Sequence, residues 1–507
     1  MKFERCSGIL LHITSLPSRF GVGDLGPGAY EFADFLSASG QKLWQVLPLN
    51  PTGYADSPYQ CFSAFAGNPL LLSLDGLRES GTLTDADLED APSFRQDAVD
   101  YGAVIDYKFR VLQRAARTFF ADGSRADHGE FDRFCENARG WLDDYALFMA
   151  YKDTRRENTW ATWDRPIRQR ERDGIREWSQ KLAPQIRAHQ YYQFEFFRQW
   201  KGLRAYCRER GIRIMGDLPI YVAHDSADVW AHRELFHIEE QGLPTIVAGV
   251  PPDYFSTTGQ LWGNPIYRWD VLAAQGYQWW IERFRASLDL FDMLRLDHFR
   301  GFEAYWEIGG GETTAMNGRW VKGPGEEFLA AVQRAFGDLP FVAENLGVIT
   351  PAVEALRHQF GLPGMSLLQF AFGKDPQGPS FRPHNYGRDL VAYTGGHDND
   401  TTLGWWNSCG GDSTRTPEDV RREKAFARAY LGFEDDAEMP WIMIRAVLGS
   451  VADVAIVPLQ DVLSLGTEAR MNRPGTTSGN WKWRYRGGAL TDVLAARLRS
   501  LTALYDR

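Results

Sequence analysis

The sequence predicts a closed parallel (β/α)8 barrel with large, mainly helical insertions. Three observations lead there. Eight short apolar runs, near residues 9, 44, 214, 294, 342, 367, 392 and 455, have strand length, and helical spacing fills most of the gaps between them. Four acids, Asp217, Asp297, Glu344 and Asp398, fall at or just past the C-terminal ends of such runs. That is the rim where barrels of this class build their sites. Finally, 507 residues at 44% hydrophobic and 24% charged make an ordinary globular composition, which one barrel with insertions can absorb. The expected organisation is a single catalytic barrel over 1–507.

In order along the chain, Gly8 to His12 reads as a buried strand, followed by a Gly/Pro-rich loop. Phe32, Phe35 and Leu36 give the next segment a helical face, and Leu43 to Leu47 forms the second strand. Residues 68–210 show no βα alternation. They read as a mainly helical insertion between strands 2 and 3, with helices near 106–119, 141–152 and 191–210. Strand 3 ends in Asp217-Leu218-Pro219, strand 4 runs through Phe291-Asp-Met-Leu-Arg-Leu-Asp297, and strand 5 is Phe341-Val-Ala-Glu344. Strands 6 and 7 follow, the latter running into Gly395-Gly-His-Asp398, and Val454 to Val457 is the last. Two Pro/Gly/Asn-rich stretches, 250–267 and 466–483, read as long loops at the active site.

Composition excludes several function classes. The net charge is −10 and no basic stripe offsets it, which argues against nucleic acid. No apolar run reaches the ~18 residues of a membrane span, and residues 1–15 lack a signal-peptide pattern. Five scattered cysteines, without a CxxC pair, fit a reducing compartment. The expected location is cytoplasmic.

Aromatics make up 14% of the chain, with 18 Trp. Tyr54, Tyr59, Tyr254, Phe255, Trp262, Trp405, Trp406, Trp481 and Trp483 stand beside Gly, Asn, Asp or Pro. A solvent-facing ring among polar neighbours can stack on a sugar while those neighbours hydrogen-bond it. Tyr59, Trp262 and Asn264 are therefore candidate binding residues.

Each acid alone could cap the helix that follows it. Four acids accompanied by Arg295, His298 and His397 exceed that explanation. Two chemistries use such a set. Metal-assisted hydrolysis would draw on His12, His298 and His397, but the helical His-Glu-x-x-His signature is absent. Glycoside chemistry needs two carboxylates in unlike settings. Arg295 lies one pleat from Asp297 and should keep it ionised as a nucleophile. Glu344 follows three apolar residues, and desolvation should raise its pKa as an acid/base requires. No metal or other cofactor is expected.

The motifs Leu294-Arg-Leu-Asp-His-Phe-Arg-Gly301, Gly216-Asp-Leu-Pro-Ile-Tyr-Val222, Ala343-Glu-Asn-Leu-Gly347 and Gly396-His-Asp-Asn399 occur in that order. Together with Ser57-Pro-Tyr59 and Gly249-Val-Pro-Pro-Asp253, they resemble the 4-α-glucanotransferases, or amylomaltases, of the α-amylase clan. The resemblance runs from about Gly8 to Trp483. It implies a retaining double displacement with Asp297 as nucleophile, Glu344 as acid/base and Asp398 as a third acid holding sugar hydroxyls. Arg295 would orient Asp297, His298 and His397 would contact sugar hydroxyls, and Asp217, also among the substrate-binding residues, would support the −1 side of the site. Asn345 and Gly396 depart from the family pattern. Implied partners are maltooligosaccharides, starch or glycogen-type glucans, and glucose as acceptor, with the protein a monomer or homodimer. No C-terminal β-sandwich is expected. The competing readings are an α-amylase-type hydrolase and a glucan-binding barrel without chemistry.

Overall fold

The computed structural model describes residues 3–155, 159–252, 256–410 and 415–507. Among the described residues, twelve strands form two sheets. The larger holds β1 (Cys6–Leu10), β2 (Leu43–Gln45), β3 (Arg213–Leu218), β6 (Met293–Leu296), β9 (Phe341–Ala343), β10 (Gly364–Leu367), β11 (Leu390–Tyr393) and β12 (Val454–Pro458). These eight are parallel, in the order β10-β11-β12-β1-β2-β3-β6-β9. The Ala343 amide donates to the Pro363 carbonyl at 2.8 Å, which joins the β9 and β10 ends into a ring. All eight predicted strands are present at their expected places. Their residues are buried on both faces, as a barrel enclosed by helices requires.

Between β2 and β3 lie the helices Tyr101–Asp122, Arg125–Asn137, Arg139–Thr154, Arg172–Lys181 and Ala183–Glu209. Phe119, Phe131, Tyr191 and Phe194 pack their rings together there, with centroids 4.8–6.0 Å apart. Those rings belong to the same contiguous apolar core as the barrel strands. The helix Ala183–Glu209 delivers the chain to β3. Trp200 donates to the Leu290 carbonyl at 2.9 Å, and Arg204 pairs with Asp292 at 2.8 Å. These contacts fasten the helix at the start of β6, the strand that carries Arg295.

The smaller sheet corrects the expectation that 250–267 is a loop. β4 (Ile246–Val250) and β5 (Gln260–Pro265) are antiparallel strands. With β7 (Ala304–Gly309) and β8 (Arg319–Lys322) they make a four-stranded arm in the order β5-β4-β7-β8. Glycines and prolines interrupt the period-2 pattern, which hid these strands in the sequence. Gly259 has φ +70°, and a Cβ there would lie 2.4 Å from the Val250 carbonyl oxygen. Only glycine fits that bend. Tyr254 and Phe255 lie outside the described residues. Among the described residues, no helix is long and apolar enough to cross a membrane.

Gly8 shows how closely the barrel strands approach. A Cβ at that position would sit 2.4 Å from the Leu43 carbonyl oxygen on β2. Gly8→Ala should therefore lower the urea midpoint by the equivalent of about 1–3 kcal/mol. An unchanged midpoint would show that β1 and β2 can separate at no cost.

Candidate active site

The C-terminal mouth of the barrel opens into a cleft of about 930 Å³. Tyr59, Trp262, Asn264, Arg295, Asp297, His298, Glu344, His397 and Asp398 all line it. Asp297 and Glu344 each follow directly on the last residue of a strand, β6 and β9. Those strands are neighbours in register, with Leu296 opposite Ala343. The next pair in that register is Asp297 and Glu344.

Arg295 organises the acids. Its Nη1 donates to Asp217 Oδ1 at 2.8 Å, Asp217 Oδ2 at 2.9 Å and Asp297 Oδ1 at 2.9 Å. Tyr59 donates its hydroxyl to Asp217 Oδ2 at 2.9 Å. Asp217, expected among the sugar-binding residues, is thus placed behind the cleft wall, with its side chain fully covered. It acts through Arg295 and Tyr59. Tyr59 in turn stacks on His397 at 5.1 Å and packs against Trp481.

Glu344 is held by backbone. The His298 amide donates to its Oε2 at 2.7 Å and the Leu346 amide to its Oε1 at 2.9 Å. His298 takes a left-handed conformation, φ +50°, a strained backbone for a residue with a Cβ. That turn aims its amide at the carboxylate. Its ring meets Trp262 edge-on at 4.8 Å. Burial, with Arg300 and Arg295 nearby, lowers its pKa to about 3, so the ring is neutral.

Desolvation pushes Asp297 up to about 6, against the pull of Arg295, with Asp217 adding to the rise. Burial outweighs the pull of Arg295, yet a pKa of about 6 leaves Asp297 ionised at neutral pH. Arg295 divides its charge, and Asp217 takes two of the three bonds. Desolvation pushes Glu344 further, to about 7, although both amides and Arg295 oppose it. Glu344 therefore keeps its proton to higher pH than Asp297 does.

Asp398 sits on the loop after β11. Asn472 donates to its Oδ1 at 2.6 Å and Arg470 to its carbonyl at 2.7 Å. The same loop is pinned at both ends by Asp461, which accepts from Thr394 at 2.5 Å and from the Thr402 amide and hydroxyl at 2.7 Å. Asn472, Arg470 and Asp461 had no motif to announce them. The loop character of 466–483 was the one available signal for the first two. Asn264 borders the cleft, but its amide is committed internally, to Val222 and Gln60 at 2.9 Å. It fastens β5 to the loop after β3. Trp405, Trp406, Trp481 and Trp483, expected to face solvent, are buried, whereas Tyr54 is 72% exposed. Asn345 is structural, donating to Glu354 and accepting from the Met365 amide, both at 2.8 Å. Among the described residues, no group of three or more His, Cys, Asp or Glu side chains is placed to hold a metal.

A family model described as 4-alpha-glucanotransferase matches residues 11–491. The chain belongs to the 4-α-glucanotransferase family. It is 52% identical to the 4-alpha-glucanotransferase of Thermus thermophilus over 515 aligned residues, covering 100% of both chains. It is 51% identical to that of Synechocystis sp., over 99% of this chain and 98% of the relative. Among solved structures, the amylomaltase from Streptococcus agalactiae in complex with acarbose superposes with a TM-score of 0.94 at 38% identity, over 99% of this chain and 100% of that one. Membership makes this chain a glycosyltransferase that acts on α-1,4-glucans, and the amylomaltase likeness fixes the barrel fold.

The raised carboxyls carry a stability cost. Both Asp297 and Glu344 bind protons more tightly folded than unfolded, so stability falls as pH rises from about 4.5 to about 7. Glu344→Gln should therefore unfold at a higher temperature than wild type at pH 8, with the gap closing near pH 4. Equal melting temperatures at pH 8 would show that Glu344 is not desolvated.

Proposed function

We propose that the enzyme moves α-1,4-glucan segments to the 4-hydroxyl of a glucose or glucan acceptor by a retaining double displacement. The observation that carries this reading is the register of β6 and β9. Adjacent strands lie ~4.8 Å apart, close to the ~5–5.5 Å between the carboxyls of retaining enzymes and below the ~6.5–9.5 Å of inverting ones.

In the first half-reaction an Asp297 oxygen attacks the anomeric carbon at the scissile bond. Glu344 gives its proton to the glycosidic oxygen, the C–O bond breaks, and the reducing-end fragment leaves. In the second, the acceptor hydroxyl passes its proton to the Glu344 carboxylate and displaces Asp297 from the same carbon. Two inversions give net retention. Arg295 orients Asp297 throughout, and it does so from a fixed position because Asp217 and Tyr59 hold it. Asp398, His298, His397 and Trp262 bound the subsite where the sugar ring distorts. The described residues of 250–267, such as Val250, Ser256 and Trp262, and those of 466–483 wall the cleft and favour a sugar hydroxyl over water. Maltooligosaccharides, starch and glycogen-type glucans are the substrates of this reading. Five cysteines without a disulfide support a cytoplasmic setting.

Incubation of the wild type with maltotriose should yield glucose and a ladder of longer maltooligosaccharides. Asp297→Asn should lower that turnover by several orders of magnitude while glucan affinity and folding persist. Maltose and glucose alone from the wild type would indicate a hydrolase. Undiminished turnover in the variant would remove Asp297 as nucleophile.

The pH profile provides a separate check. Activity needs Asp297 ionised and Glu344 protonated, so kcat/KM should climb through about 6 and fall through about 7. In Glu344→Gln the alkaline limb should vanish from whatever activity remains. A limb that persists there would assign the titration to another group.

A further inference from the structure

The cleft has a second aromatic wall that this mechanism leaves unused. Trp320 on β8 lines it and is 39% exposed. The Arg300 guanidinium lies 3.7 Å from the centre of its ring, and Trp306 meets it edge-on at 5.3 Å. Arg300 is itself buried and donates to the Val348 carbonyl. A lone exposed aromatic side chain needs no explanation. This one is clamped by a desolvated cation and a second indole, so a flat apolar surface is held rigid while facing the cleft.

Its position says which part of a glucan it can meet. Val348 lies four residues after Glu344, and the chain between them is tied back by the Leu346 amide on Glu344 Oε1 at 2.9 Å. Through Arg300, Trp320 is thus tied to the segment that follows Glu344, the acid/base on whose side this reading has the leaving glucan depart and the acceptor enter. Within the arm, β8 is three strands from β5, or ~14 Å. Trp262 on β5 is beside His298 at the carboxylates. A single glucose at the cleavage point does not bridge that distance, whereas a maltooligosaccharide does.

We propose that Trp320 is the stacking platform of a remote acceptor subsite that selects maltooligosaccharides over free glucose. The proposal rests on the transfer reading above. The apolar face of a pyranose ring packs on the indole, and Arg300 fixes the tilt of that indole. Trp320 takes no part in bond making or breaking and acts on acceptor choice.

The test uses Trp320→Ala and Trp320→Phe with soluble starch as fixed donor and radiolabelled glucose or maltotriose as acceptor. In Trp320→Ala, KM for maltotriose as acceptor should rise about tenfold, while KM for glucose stays within about twofold. Trp320→Phe, which keeps a ring, should recover most of the difference. Equal changes for both acceptors would mean that Trp320 only supports the arm, and would overturn the proposal. No change for either would overturn it as well. A wild type that makes no longer glucans from maltotriose would instead defeat the transfer reading, and that result precedes any variant.

Discussion

One nitrogen of Arg295 faces three carboxylate oxygens at 2.8–2.9 Å, two of them on Asp217 and one on Asp297. Arg295 is only 5% exposed, so this charge has little water to share. Such a cation is tolerable inside a protein only when its partners are fixed. The barrel supplies that fixity. β3 carries Asp217 opposite Arg295 in parallel register, and β6 carries both Arg295 and the turn into Asp297. Tyr59 closes the far side of Asp217. The rest of the site depends on this arrangement, because it sets how much positive charge reaches Asp297.

Burial raises both carboxyls, and the division of that charge limits how far Arg295 pulls Asp297 back down. Had Arg295 served Asp297 alone, the aspartate would be deeply ionised and a weak nucleophile. With Asp217 taking two bonds, Asp297 stays basic enough to attack, yet ionises before Glu344. Glu344 is raised by burial as well, opposed by Arg295 and by two amides, one presented by the strained backbone of His298. Function thus draws on desolvation and strain that a purely stable barrel would avoid.

Much of the barrel was legible because it repeats one physical rule. Buried parallel strands must be short apolar runs, and Ile9, Trp44, Ile214, Leu294, Val342, Leu367, Ala392 and Ile456 all read that way and all are buried. Asp297 and Glu344 were legible because a charge directly after such a run has few structural uses. The antiparallel arm was not, since Gly249, Gly259, Gly263 and the neighbouring prolines break its alternation. Burial of Trp405 and Trp406 was hidden for a related reason. Polar neighbours suggested a loop, but Thr401 caps a short helix, Thr402–Asn407, that turns both rings inward. Asp217 illustrates the limit of single-residue reading. Its sequence position put it at the rim, and only the pairing of β3 with β6 shows that Arg295 and Tyr59 consume its oxygens. Asp461 lies on a segment far from the loop it secures, so no local pattern could reveal it, and for Asn472 the loop character of its own stretch was the one hint.

The central claim is that Asp297, poised by Arg295, forms the bond to the sugar. A maltooligosaccharyl fluoride tests it directly, because fluoride leaves without help from an acid. Incubated with the Glu344→Gln enzyme and digested for mass spectrometry, it should leave a glucan adduct on the peptide containing Asp297. An adduct on the peptide of Asp398, or turnover with no adduct at all, would contradict the account.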